Sequence, residues 1–120
     1  MAKRATPEGA VLRDCLALLR MMGIWHWRNN TGAVSTPSGG FIRFGAKGSA
    51  DILALRNGRF IAIECKSPKG KPTPEQSAWG QSVKANGGYW WCVSSAAELA
   101  AALSDDVQPL PATQHKEPTK

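Results

Sequence analysis

The run Asp51-Ile52-Leu53-Ala54-Leu55-Arg56-Asn57-Gly58-Arg59-Phe60-Ile61-Ala62-Ile63-Glu64-Cys65-Lys66 decides the fold. Asn-Gly between two apolar, β-rich runs predicts a hairpin with a two-residue turn, both turn residues at positive φ. That turn pairs Arg56 with Arg59 and Leu55 with Phe60, and so on outward until Asp51 falls opposite Glu64. Opposed residues on one face of an antiparallel pair hold their Cβ atoms roughly 4.5–5.5 Å apart. Side chains alternate along a strand, so Glu64 and Lys66 share a face while Ile63 and Cys65 point the other way. Two facing carboxylates repel, and a hard divalent cation held by both resolves the repulsion.

Upstream of the hairpin, Thr6-Pro7-Glu8 carries a hydroxyl N-cap, a proline for the first helical position and an acid for the first turn. A helix is expected from there to about Met22, stopped by Gly23. Ile24 to Asn29 reads as a strand. The Gly- and Ser-rich stretch 31–49 contains one short apolar patch, Phe41 to Phe44, as a further candidate strand. Downstream, Ser67 to Pro74 is a Lys/Gly/Pro loop, and Thr73-Pro74-Glu75-Gln76 opens a helix at capping-box spacing that ends at Asn86-Gly87-Gly88. Tyr89 to Val93 is a short strand, and Ser95 caps a last helix to about Leu103. The order α-β-β-β-α-β-α predicts an α/β fold, a small mixed sheet with helices on both sides. A single domain is expected over residues 1–104, with the proline-bearing tail 105–120 disordered.

Composition narrows the class. The chain has 120 residues, 42% hydrophobic and 20% charged, as ordinary globular domains do. No uninterrupted apolar stretch is long enough to span a bilayer, so no membrane association is expected. The basic N-terminus has no apolar segment behind it, and no secretory signal is expected. Three cysteines, at 15, 65 and 92 with no CxxC, argue against a disulfide scaffold or structural zinc and for reduced thiols in the cytoplasm. The net charge of +6 is uneven, because residues 1–72 carry 12 bases against 4 acids. That half favours a polyanionic partner.

Glu8 lies within about 40° of Leu12, Cys15, Leu19 and Met22 at helical spacing, the middle of the apolar stripe, whereas Asp14 falls on the polar arc. An acid facing the sheet is explained by a metal site there; an acid in an exposed first turn is explained by the helix dipole. Other motifs carry less. Gly40 to Lys47 lacks the lysine spacing of a P-loop, His26 reads as a structural histidine, and Trp79, Trp90 and Trp91 read as packing residues.

Taken in order, Glu8, Arg28-x-Asn30-Thr31-Gly32, Gly48-x-x-Asp51, Ile63-Glu64-Cys65-Lys66 and Gln76-x-x-Trp79 resemble the PD-(D/E)XK nuclease superfamily. More narrowly they resemble the VRR-NUC family in its stand-alone phage and bacterial form. The resemblance runs from residue 8 to about residue 93, with Ala50 where the superfamily name implies proline. It implies a restriction-endonuclease-like αβββαβ core and metal-dependent phosphodiester hydrolysis. Asp51 and Glu64 would bind Mg²⁺ or Mn²⁺ with the Cys65 backbone carbonyl, and Glu8 would hold the metal directly or through water. Lys66 would orient or help deprotonate the attacking water and stabilise the phosphate. Gln76 would position Lys66 or the water, its alternative role being the capping box. Arg43, Lys47, Lys69 and Lys71 flank these residues and suit DNA-backbone contact, which positions without reading sequence.

Stand-alone members are similar to Holliday-junction resolvases. The expected substrate is therefore branched DNA, a four-way junction, and the expected assembly a homodimer, with Ile24–Asn29 and the Gly-rich stretch as interface candidates. Two alternatives stay open: a nicking or restriction-type nuclease on ordinary duplex, and a non-catalytic DNA-binding module of the same fold. No nucleotide cofactor is expected.

Overall fold

The computed structural model of the protein describes residues 6–106. Helix α1 (Pro7–Met21) starts where Thr6 adopts extended backbone and its hydroxyl accepts the Gly9 N–H at 2.9 Å. It is followed by β1 (Trp25–Arg28), β2 (Gly32–Ser35), β3 (Phe41–Phe44), β4 (Ile52–Arg56) and β5 (Arg59–Cys65). Helix α2 (Pro74–Ala85), β6 (Tyr89–Val93) and α3 (Ala96–Asp105) complete the chain order.

The central hairpin has the expected register, Ile52 opposite Ile63 through Arg56 opposite Arg59. Its turn residues Asn57 and Gly58 take φ values of 54° and 78°, the left-handed conformation that this tight turn demands. Strand β1 adds antiparallel to β4, and β6 adds parallel to β5 after the α2 crossover, giving a mixed sheet in the order β1-β4-β5-β6. The molecule is thus a mixed α/β fold with three helices.

Alternation divides the sheet's work. Ile52, Ala54, Ile61, Ile63, Cys65 and Val93 face α1 and α3, where they pack against Val11, Cys15, Leu19, Leu99 and Leu103. Burying a side chain of the Leu or Ile size contributes about 1.5–3 kcal/mol, so this layer is the main source of stability. The opposite face receives α2. Its helix axis comes so close that a Cβ on Gly80 would lie 2.2 Å from the Trp90 ring. Toward β1 that face is uncovered: Trp25, Trp27 and Leu55 are 67%, 42% and 42% exposed. No helix among the described residues is long and apolar enough to cross a membrane.

Two expectations need correction. The Gly-rich stretch holds two strands, not one: β2 and β3 form a separate two-stranded sheet. Gly32-Ala33-Val34-Ser35 carries little intrinsic β preference and becomes a strand only because β3 pairs with it. The domain also extends past residue 104, since Asp105 closes α3 and Asp106 caps it. Tertiary contacts hold that end, Arg56 donating to the Leu103 carbonyl at 3.0 Å and Arg59 pairing with Asp106 at 4.0 Å. The readings of residues 1–5 and of the tail from 107 onward lie outside the described residues.

Candidate active site

Glu64 is the anomaly from which the site is built. It occupies the α2-facing side of a central strand, and only 1% of it is exposed. A carboxylate so placed loses most of its hydration and needs compensation. One oxygen finds it: Oε2 accepts the Gln76 Nε2–H at 2.9 Å and lies 3.6 Å from Lys66 Nζ. The other, Oε1, is buried with no hydrogen-bond partner among the described residues. Burial first, and then the nearby Asp51 charge, push the Glu64 carboxyl up to about 8, against the pull of Lys66.

Asp51 sits one residue before β4, continuing the register that brings it to Glu64. Its Oδ2 accepts the Cys65 backbone N–H at 2.8 Å, which fixes the carboxylate against β5. The loop leading to it is braced by Asn29. That side-chain amide donates to Ser49 Oγ at 2.7 Å and to the Ala50 carbonyl at 2.9 Å, while its backbone N–H donates to the Asp51 carbonyl at 2.7 Å. Farther up the loop, Gly48 at φ 82° lies so close to α2 that a Cβ would stand 2.7 Å from the Glu75 carbonyl oxygen. Glycine is therefore required twice over at this position, by conformation and by space. The bracing role of Asn29 was not anticipated from the sequence, where it is the unspecified residue between Arg28 and Asn30; a half-buried amide closing a loop has no local signature.

Gln76 forms the capping box and turns its other end to Glu64. Its Oε1 accepts the Thr73 N–H at 2.9 Å while its own N–H is accepted by Thr73 Oγ1, completing the capping box. Its Nε2 is left to orient Glu64, so it acts on the carboxylate and not on Lys66. Lys66, its side chain only 12% exposed, lies between two acids, Glu64 at 3.6 Å and Glu8 at 3.8 Å.

Glu8 departs from the reading that aimed it at the core. Its side chain is 51% exposed and meets the ammonium of Lys66, and its charge adds a smaller push on the Glu64 carboxyl. Among the described residues no group of three or more His, Cys, Asp or Glu is arranged to hold a metal ion. Cys65 turns its thiol into the core against Cys15, whose contact together with burial raises its pKa. What Cys65 visibly gives the site is its backbone N–H. His26 is structural, its Nδ1 2.7 Å from the Ile24 carbonyl oxygen.

The predicted basic residues lie in the segments that precede Asp51 and follow Lys66. Arg43 and Lys47 line a cleft of about 200 Å³ with Thr31, Gly32, Gly45 and Gly48, and Lys47 also pairs with Glu75 at 2.7 Å. Lys69 and Lys71 are exposed in the loop after Lys66. A second groove, about 400 Å³, is lined by Arg13, Arg20 and Arg28 beside Leu12 and Leu16, a basic surface not anticipated because its arginines come from two separate elements. No protein-family model matches the chain, and no curated protein matches it either.

Proposed function

We propose that the chain is a Mg²⁺- or Mn²⁺-dependent DNA endonuclease with a restriction-endonuclease-like core of the VRR-NUC type, acting on branched DNA as a homodimer. The observation that carries this reading is Glu64: a buried carboxylate with one oxygen unpartnered, beside a second carboxylate. The donor set fits a hard divalent cation. Mg²⁺ is commonly held by one or two carboxylates, with waters and substrate phosphates filling the other positions, so Asp51 and Glu64 suffice without a third acid. A cation held there would activate water and polarise the scissile phosphodiester.

The chain's own groups have definite tasks in this reading. Gln76 holds Glu64 by Oε2 and would leave Oε1 for the cation, and the Cys65 N–H holds Asp51 by Oδ2. Lys66 donates to a non-bridging phosphate oxygen, where charge grows in the transition state and a preplaced donor is most effective. Glu8 tethers Lys66 from the solvent side. Arg43, Lys47, Lys69 and Lys71 neutralise neighbouring phosphates, as do the three arginines of the α1–β1 groove.

A labelled four-way junction and a linear duplex of the same sequence, each incubated with Mg²⁺, Mn²⁺ or EDTA, test the reading with Glu64→Ala as control. The expected result is metal-dependent cleavage of the junction, absent from the variant. Equal cutting of both substrates would keep the nuclease and discard the junction, and binding without cutting would make the chain a DNA-binding module.

A further inference from the structure

The β2–β3 hairpin is hard to explain as part of the fold. It pairs with itself and makes at most marginal contact with the other helices and strands. A lone two-stranded hairpin is only marginally stable in water, and it is too thin to bury either face. Yet Val34 and Ile42 stand opposite each other on one face, 50% and 57% exposed, and Phe41 on the other face is 73% exposed. The tip is stiff. Thr36 exchanges backbone hydrogen bonds with Gly39 and Gly40, and its hydroxyl accepts the Gly40 N–H at 3.0 Å.

The strand bearing Phe41 leads along the chain to Asp51. Arg43 follows two residues down β3, about 7 Å nearer the base at strand rise. It lines the cleft with Lys47, and after Gly48 the chain reaches Asp51 within three residues. Ring, guanidinium, ammonium and carboxylate thus succeed one another along the chain, and Lys47 and Gly48 meet Glu75 beside Gln76, the residue that holds Glu64. The Lys47 ammonium is shared with Glu75 in an exposed pair, which a phosphate can displace at little cost. The cations on this path match a polyanion and the aromatic tip matches a base. Apolar side chains that enter nucleic acid do so by unstacking a step, and unstacking costs least where pairing is already broken.

We propose that the hairpin is a strand-separating wedge, in which Phe41 stacks on an unpaired base at the centre of branched DNA while Arg43 and Lys47 hold the phosphates of the strand leading to Asp51. Its place in catalysis rests on the nuclease reading above; its test does not. The probe is 2-aminopurine placed at the centre of a four-way junction, or within a linear duplex, as the pairing partner of the base that Phe41 takes, and titrated with the Glu64→Gln protein so that no strand is cut. Fluorescence should rise on the junction and stay flat on the duplex. Phe41→Ala should abolish the rise and weaken junction binding about tenfold, whereas Phe41→Trp should restore both. Circular dichroism checks that both variants are folded.

No rise with the intact hairpin, or an undiminished rise in Phe41→Ala, overturns the wedge. If Phe41→Ala instead turns a dimer into a monomer by sedimentation and leaves the rise intact, the hairpin is a contact between copies and the wedge is discarded. A Phe41-dependent rise in a protein that never cuts DNA with any metal keeps the wedge and removes the nuclease.

Discussion

Glu64→Gln in metal-free protein tests the electrostatics of the site most directly. The Glu64 carboxyl titrates near 8 in the folded protein and near 4.5 in the unfolded chain. Between those values the unfolded chain has released a proton that the folded protein keeps, so stability falls as pH rises through that window. The gap, at about 1.4 kcal/mol per pH unit, sets a ceiling of about 5 kcal/mol on the loss. That is a large share of the roughly 5–15 kcal/mol available to a domain. Lys66 is already included, because its attraction lowers the value from where burial alone would set it. The glutamine keeps an oxygen for Gln76 Nε2, which now donates at 2.9 Å, and removes only the titration. Urea unfolding in EDTA should show the wild type losing about 3 kcal/mol between about pH 5 and pH 8 while the variant changes far less. At the upper end the variant should be the more stable protein. Mg²⁺ at that pH should restore the wild type and leave the variant where it was. Parallel pH curves for the two proteins would refute the assignment of a buried, only partly compensated carboxylate.

Gln76→Ala should lower stability by about 1–3 kcal/mol in urea, because it removes the side-chain half of the capping box, which accepts the Thr73 N–H, and takes the amide donor from Glu64 Oε2. Lys66→Met should reduce single-turnover cleavage about 100-fold or more while DNA binding, followed by anisotropy, persists. Gly80→Ala drives a methyl toward the Trp90 ring, where the contact would be 2.2 Å, and should cost about 1–3 kcal/mol, read as a lower melting temperature.

The hairpin was legible because Asn57-Gly58 fixes the register by local chemistry alone, and the register carries Asp51 to Glu64 without further information. Gln76 was legible by the same kind of short-range signal, its capping-box spacing, although the partner of its free amide end was not. What stayed hidden depends on how separate elements meet. Helical periodicity put Glu8 on the apolar stripe, but periodicity says nothing about how well a first turn is covered, and Glu8 stays half-exposed beside Lys66. Asn29 and the Arg13, Arg20 and Arg28 groove likewise exist only after α1, β1 and the loop before β4 are assembled. β2 escaped notice because a Gly-Ala-Val-Ser strand is specified by its neighbour and not by itself.

The hold on Asp51 has a consequence for how this protein can change over time. The donor that fixes the carboxylate is a main-chain N–H, and every amino acid except proline supplies one. The Cys65 side chain, meanwhile, answers to a different constituency, the packed layer around Cys15 on the far side of the sheet. Position 65 can therefore drift among residues of similar bulk without the carboxylate's orientation being exposed to mutation. Heredity protects that orientation through the strand, and only loss of the strand itself would erase it.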